Sequence, residues 1–437
     1  MSAEALWKES DHVKAEILCV GTEILLGDIV NTNAQFIARQ IAAIGIGSYN
    51  QSVVGDNPQR LKDSLRVAFS RADIVIMTGG LGPTYDDLTK ETAAELFGRG
   101  MVMHEPSLGR IEAFFKRLGR EMTENNKKQA MMPDGEGVEV FENHNGTAPG
   151  LAVRGLLSGE PELGIKTAIL LPGPPMEMAP MFTESVVPYL AKFSDKVFVS
   201  HEMNLFGIGE SAAESALVDV MRSMTNPTIA PYAKEGEVVL RVTASADTYE
   251  KADEMTKLGM NIVYERLGEY VYGVDIKSLQ NALVKSLGER RLTVATAESC
   301  TGGLIAKRIT EIPGASEVFG MGAVCYANSI KTRVLGVSAE TLERFGAVSH
   351  QTAREMAEGA RRISGADIAV STTGIAGPGG GTQEKPVGLV YIGVSTRNGC
   401  ETYELHLARG YSSDREMIRW LAASNAIYKA IKAAEQL

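Results

Sequence analysis

The sequence predicts a multidomain α/β protein, and three observations carry that expectation. A chain of 437 residues exceeds what one hydrophobic core ordinarily serves, so two or three domains are expected. Short apolar, β-branched runs alternate with helical stripes near both ends of the chain. Several of those runs lead directly into glycine-rich loops, the place where open α/β sheets bind ligands.

The first domain is expected over 14–180, after a polar tail at 1–13. Residues 13–20 alternate into Gly21-Thr22-Glu23, a strand entering a turn. Residues 32–44 carry Phe36, Ile37, Ile41 and Ile44 as a helical stripe that stops at Gly45. A strand at 48–55, a helix at 58–70 and a continuous apolar strand at 72–78 complete a doubly wound pattern. The last strand runs into Gly79-Gly80-Leu81-Gly82-Pro83-Thr84-Tyr85-Asp86-Asp87. Glycines let backbone N–H groups approach a phosphate, and a following carboxylate can hold a divalent cation. A tight turn with a capping aspartate reads the same way. Two further loops point to the same end: the polar stretch 143–150, and 171–177 after a strand at 167–171.

Residues 181–275 read as a small α+β connecting domain: helix 180–193, strand 197–206, helix 209–221, strand 237–244, helix 249–267 and strand 270–273. The pattern resembles a KH-like fold. Residues 196–275 nevertheless hold 13 carboxylates against 7 Lys or Arg, and they lack the Gly-x-x-Gly loop that clamps a nucleic-acid backbone. A spacer or dimer-forming role is expected, with no nucleic acid.

In 276–437 a helix at 276–287 precedes the strand 292–297, which ends at Glu298-Ser299-Cys300-Thr301-Gly302-Gly303 before a helix from Leu304. Ser299 thus falls on a strand-to-helix turn, where a hydroxyl is exposed beside free N–H groups. Serine needs a base, and Lys331 is the candidate if burial keeps its amine neutral; a turn serine and a surface lysine are the plainer alternative. Helices at 339–345 and 352–363 follow, then a buried strand at 366–372. That strand enters Thr373-Gly374-Ile375-Ala376-Gly377-Pro378, with further strands at 387–395 and 401–407 beyond it. The stretch 411–415 starts the final helix, with Asp414 near its cap.

Together the motifs 21–27, 79–89, 145–150, 296–303, Tyr326 with Lys331, and 373–378 resemble the CinA family over residue 14 to the C-terminus. The resemblance implies a molybdopterin-binding-like first domain acting as a metal-dependent ADP-ribose pyrophosphatase. Gly79, Gly80, Gly82, Thr84, Asn145, Gly146 and Thr147 would bind the nucleotide. Asp87, with Asp86 and Glu23, would hold a divalent metal ion. For the last domain it implies deamidation of nicotinamide mononucleotide without a cofactor. Ser299 would be the nucleophile, Lys331 its base and Tyr326 a proton relay. Cys300, Thr301, Gly302, Gly303, Thr373 and Gly374 would line the substrate and oxyanion site, and Arg415 would take the ligand phosphate. A homodimer is implied as well. A non-enzymatic competence or damage-response interaction protein, and molybdopterin binding by the first domain, stand as alternatives.

Composition limits the remaining classes. A formal charge of −10 disfavours non-specific nucleic-acid binding. No apolar run approaches membrane-spanning length and the first residues lack a secretory pattern, so a cytoplasmic protein is expected. Cys19, Cys300, Cys325 and Cys400 show no Cys-x-x-Cys spacing, which disfavours disulfides and a zinc ribbon. His350 and His406 offer no metal-ligand pair, while a serine triad through His350 remains a secondary option.

Overall fold

A computed structural model describes residues 13–193, 196–234, 236–408 and 414–437. Residues 1–12 of the tail predicted at 1–13, and residues 411–413 of the stretch predicted to start the final helix, lie outside the described residues. By compactness the chain divides into two units: Met1–Ser200 with Thr243–Thr256, and His201–Val242 with Lys257–Leu437.

The first unit is built on a six-stranded sheet. Its parallel strands are β1 (Lys14–Val20), β2 (Gly47–Val54) and β3 (Ile74–Thr78); β4 (Met101–Met103) and β5 (Met131–Pro133) form a separate two-stranded ribbon. The sheet continues with β6 (Val138–Phe141), β7 (Gly150–Gly155) and β8 (Lys166–Leu171), in the order β2-β1-β3-β8-β7-β6. β8 runs parallel to β3, whereas β7 and β6 are antiparallel. Apolar side chains cover both faces. Leu18, Leu65, Phe69 and Met77 pack on one side, and Ile17, Ile37, Ile41, Ile76 and Phe182 on the other. The helix expected over 180–193 is divided. Pro175–Met181 is followed by a wide turn at Phe182–Val186 and a short helix at Val187–Ala191, with Pro180 inside the first segment.

The connecting module forms a four-stranded sheet, β10-β11-β9-β12, from β9 (Val197–Phe206), β10 (Thr228–Lys234), β11 (Glu237–Ala246) and β12 (Val271–Val274). β10 was not expected: it joins Ile229 and Pro231 to polar residues with no clear alternation.

The last sheet has the order β14-β13-β15-β16-β17, built from β13 (Val294–Glu298), β14 (Phe319–Val324), β15 (Ile368–Gly374), β16 (Leu389–Thr396) and β17 (Gly399–His406). β14, β13 and β15 are parallel, and β16 and β17 add an antiparallel pair. The helices Leu279–Arg290 and Arg415–Glu435 bury Leu283, Leu287, Ile418 and Ile427 in a core that also takes in Phe206 and Tyr272 of the connecting module. Asp414 caps the final helix, its Oδ1 accepting from the Met417 N–H at 2.7 Å.

Candidate active sites

In the second unit the parallel register decides which loops meet. Glu298 pairs with Val324 and Thr372 on its two neighbours, so Ser299, Cys325-Tyr326 and Thr373 leave three adjacent strands at one end. The Ser299 N–H donates to Thr372 O at 2.9 Å and the Cys325 N–H to Glu298 O at 2.8 Å, which ties the three exits together. Ser299 is buried, at 8% exposure.

Lys331 stands on the β14 exit and is only 1% exposed. Its Nζ donates to Tyr326 O at 2.9 Å. Burial pushes its pKa below the usual lysine range, while the Cys325 and Cys300 thiols partly oppose the shift. The one hydrogen bond of the Lys331 amine among the described residues is to Tyr326 O, and no hydrogen bond joins it to Ser299. Both thiols are themselves buried and pushed up, Cys300 to about 12, so neither is a ready nucleophile.

Glu298, which sequence reasoning passed over, organises the serine turn. Its carboxylate, 1% exposed, accepts from the N–H groups of Gly303 and Ile305 at 3.0 Å and Ala306 at 2.8 Å. The free donors expected at this helix start are therefore partly taken: the Gly303 N–H by Glu298, and the Gly302 N–H by Ser299 O at 3.1 Å. The Cys300 and Thr301 amides are directed at the Cys300 thiol, whose pKa they lower against the effect of burial. The glutamate immediately before a serine turn was the available signal, since a buried carboxylate there has a helix start within reach.

The remaining predicted residues sit around this centre. Tyr326 is exposed, and its hydroxyl accepts from Arg415 Nη2 at 3.2 Å. Arg415 also donates to Gly377 O at 2.7 Å, linking the final helix to the loop after β15. The Thr373 hydroxyl donates to Ala347 O at 2.6 Å, and Gly374 ends β15 against Val390. Arg419, one turn beyond Arg415 and not anticipated, donates to Thr301 O at 2.7 Å and braces the serine turn from the helix side. His350 lies elsewhere: its Nδ1 meets Thr402 Oγ1 at 2.9 Å and its Nε2 meets Glu404 at 3.4 Å, on edge strand β17.

In the first unit the loops after β1, β3 and β8 and the loop before β7 all lie at one end of the sheet, because β7 runs opposite to β8. The chain switches direction between β1 and β3, the position where such sheets take ligands. Gly79 has φ 107°, and a Cβ there would fall 2.0 Å from Val20 O, so only glycine fits. Thr89 secures the loop by donating to Gly79 O at 3.0 Å.

Asp87 Oδ2 accepts the Thr84 N–H at 2.9 Å and also the Thr84 hydroxyl. Lys128, far off in sequence and missed there, donates from Nζ to Thr84 O at 2.9 Å and to Asp87 O, pinning the turn. Asp86 and Glu23 are exposed, Glu23 in a short helix, Thr22–Leu26, rather than the expected turn. In the third loop, Asn145 is exposed, while Asn143 donates to Glu177 Oε2 at 2.6 Å, and Gly146 lies so close to the Glu177 carboxylate that a Cβ would fall 2.1 Å from it.

Among the described residues no group of three or more His, Cys, Asp or Glu gathers to hold an ion by itself. Hard carboxylate oxygens on one turn suit a magnesium-like ion that takes its other ligands from water and substrate phosphate. No helix among the described residues is long and apolar enough to cross a membrane.

Fold and strand-end loops define a multidomain α/β protein with two separate candidate centres. Three family profiles match consecutive stretches: "Probable molybdopterin binding domain" over residues 16–192, "Damage-inducible protein CinA KH domain" over 200–273 and "CinA C-terminal domain" over 276–433. A CinA-like protein of Dictyoglomus thermophilum is 51% identical over 415 residues, covering 95% of this chain and 98% of that protein. The CinA-like protein of Dictyoglomus turgidum is 50% identical over 415 residues, with the same shares. Among solved structures, the competence/damage inducible protein CihA from Agrobacterium tumefaciens is 46% identical over 36% of this chain and 94% of its own, with a TM-score of 0.35. The chain belongs to the CinA family.

Proposed function

We propose that this protein hydrolyses the carboxamide of nicotinamide mononucleotide at Ser299, and the diphosphate of ADP-ribose at the Gly79–Thr89 loop of its first domain. The observation that carries the first activity is Lys331: a buried amine, pushed toward its neutral form, at the same strand ends as a buried serine. Ser299 Oγ attacks the carboxamide carbon and Lys331 Nζ takes its proton. The oxyanion forms beside the Cys300 and Thr301 amides, donors of a kind worth ~3–4 kcal/mol each in the transition state. Lys331 then returns the proton to the amide nitrogen, the C–N bond breaks and ammonia leaves. Water attacks the resulting ester with Lys331 again as base, giving nicotinate mononucleotide and free Ser299. Tyr326 orients the exchange, and Arg415, whose planar fork suits a phosphate, holds the nucleotide.

In the first domain Asp87, with Asp86 and Glu23, would hold a divalent metal ion, which when bound neutralises charge on the diphosphate. The chain's own part is to present the Gly79, Gly80 and Gly82 backbone to the phosphates and to keep Asp87 fixed through Thr84 and Lys128.

The test is a double dissociation. Ser299→Ala should abolish ammonia release from nicotinamide mononucleotide and leave ADP-ribose cleavage intact, and Asp87→Ala should do the reverse. Loss of both activities in a folded Ser299→Ala protein would refute the two-site reading.

A further inference from the structure

Beside the loop that holds Gly146 and Thr147, the helix Glu105–Arg117 and residues 143–149 enclose a cavity of about 300 Å³. Its floor and walls include the buried Ile111, the Phe114 ring and Pro149, and its polar groups include Arg110, Arg117 and His144. Among the described residues no carboxylate lines it, in a chain whose net charge is −10. The two arginines are not equivalent. Arg110 is paired with Glu142 at 2.5 Å, so its charge is largely answered. Arg117 lies over the Phe114 ring, 5.3 Å from its centroid, and among the described residues no carboxylate pairs with it.

An apolar slot with an aromatic wall accepts a flat ring, and an uncommitted guanidinium at its rim accepts an anion. A nucleotide base with its attached phosphate carries both features. We propose that this cavity seats the nucleoside end of the diphosphate substrate, with Phe114 packing against the base and Arg117 reaching the adjoining phosphate. Phe114 is then the specificity-determining residue that tells a nucleoside diphosphate from a bare diphosphate, and Arg117 an anchor for the phosphate common to both. The placement rests on reading the first domain as a nucleotide-diphosphate hydrolase, because the loop shared by cavity and site supplies the continuity.

Calorimetric titration of the full chain with ADP, and separately with inorganic pyrophosphate, tests it. Phe114→Ala should weaken ADP binding about tenfold, the typical worth of one stacking interaction, and change pyrophosphate binding less than twofold, whereas Arg117→Ala should weaken both ligands about tenfold. Both residues lie at the surface end of one helix, and unchanged circular dichroism of the variants would show that they fold. Unchanged ADP affinity in both variants would overturn the proposal. So would equal weakening of ADP and pyrophosphate by Phe114→Ala, which would make the cavity a plain anion site. If ADP-ribose is not cleaved yet ADP still binds through Arg117, the hydrolase reading fails while the cavity's assignment stands.

Discussion

Replacing Glu298 by glutamine probes the serine turn with almost no change of shape. The carboxylate accepts three backbone N–H groups, two on one oxygen and one on the other. Glutamine keeps one oxygen and turns an NH2 toward donors that need an acceptor. At least one buried N–H then loses its partner, at about 1–3 kcal/mol, and the surviving bonds lose their charge assistance. The sum is a destabilisation of roughly 3 kcal/mol. Trp420 packs against Arg308, whose guanidinium lies 4.1 Å from its ring centroid within the same core region, so its fluorescence reports unfolding of this unit. The chain's other tryptophan is Trp7. Urea unfolding followed by Trp420 in a Trp7→Phe background should show the loss, and ammonia release should fall as the Ser299 turn loosens. A Glu298→Gln protein within about 0.5 kcal/mol of the parent, with unchanged turnover, would refute the claim that this carboxylate sets the turn.

Two further predictions concern protons. Deamidation requires neutral Lys331, so its rate should rise with pH through an inflection below the ordinary lysine value of 10.5; a flat profile from about pH 6 to 10 would contradict this. Lys90 is 2% exposed and donates to Gln129 O at 2.7 Å, and burial lowers its pKa to about 8. The unfolded chain binds the extra proton between pH 8 and 10.5, so stability of the first unit should increase with pH across that window, by about 3 kcal/mol in all. Lys90→Met should remove this slope in denaturation curves taken at several pH values.

Much of this architecture was legible in the sequence, for reasons that differ by region. The runs 74–78 and 368–372 are buried on both faces and therefore read as continuous apolar strands. The Glu401 pairing was visible because β16 and β17 are joined by a short turn that leaves them antiparallel neighbours. The short strands β4, β5 and β6 were not legible, since three or four residues carry too little periodicity. Ser299 and Lys331 were paired from the sequence as nucleophile and base, but that their strands end side by side depends on β13 lying between β14 and β15, which only the register reveals. Lys128 escaped notice because its partners, Thr84 and Asp87, lie some forty residues earlier. Glu298 escaped because an acidic residue at a strand end ordinarily faces water; here three amides of its own following helix replace that water.

The central claim is that a neutral amine at position 331 activates the hydroxyl at position 299, and ammonia release from nicotinamide mononucleotide by wild type and Lys331→Ala measures it most directly. A positioned general base contributes about 10²–10⁴-fold, so the variant should retain at most roughly one hundredth of the wild-type rate while still binding the nucleotide. A Lys331→Ala protein that releases ammonia at the wild-type rate would contradict the account.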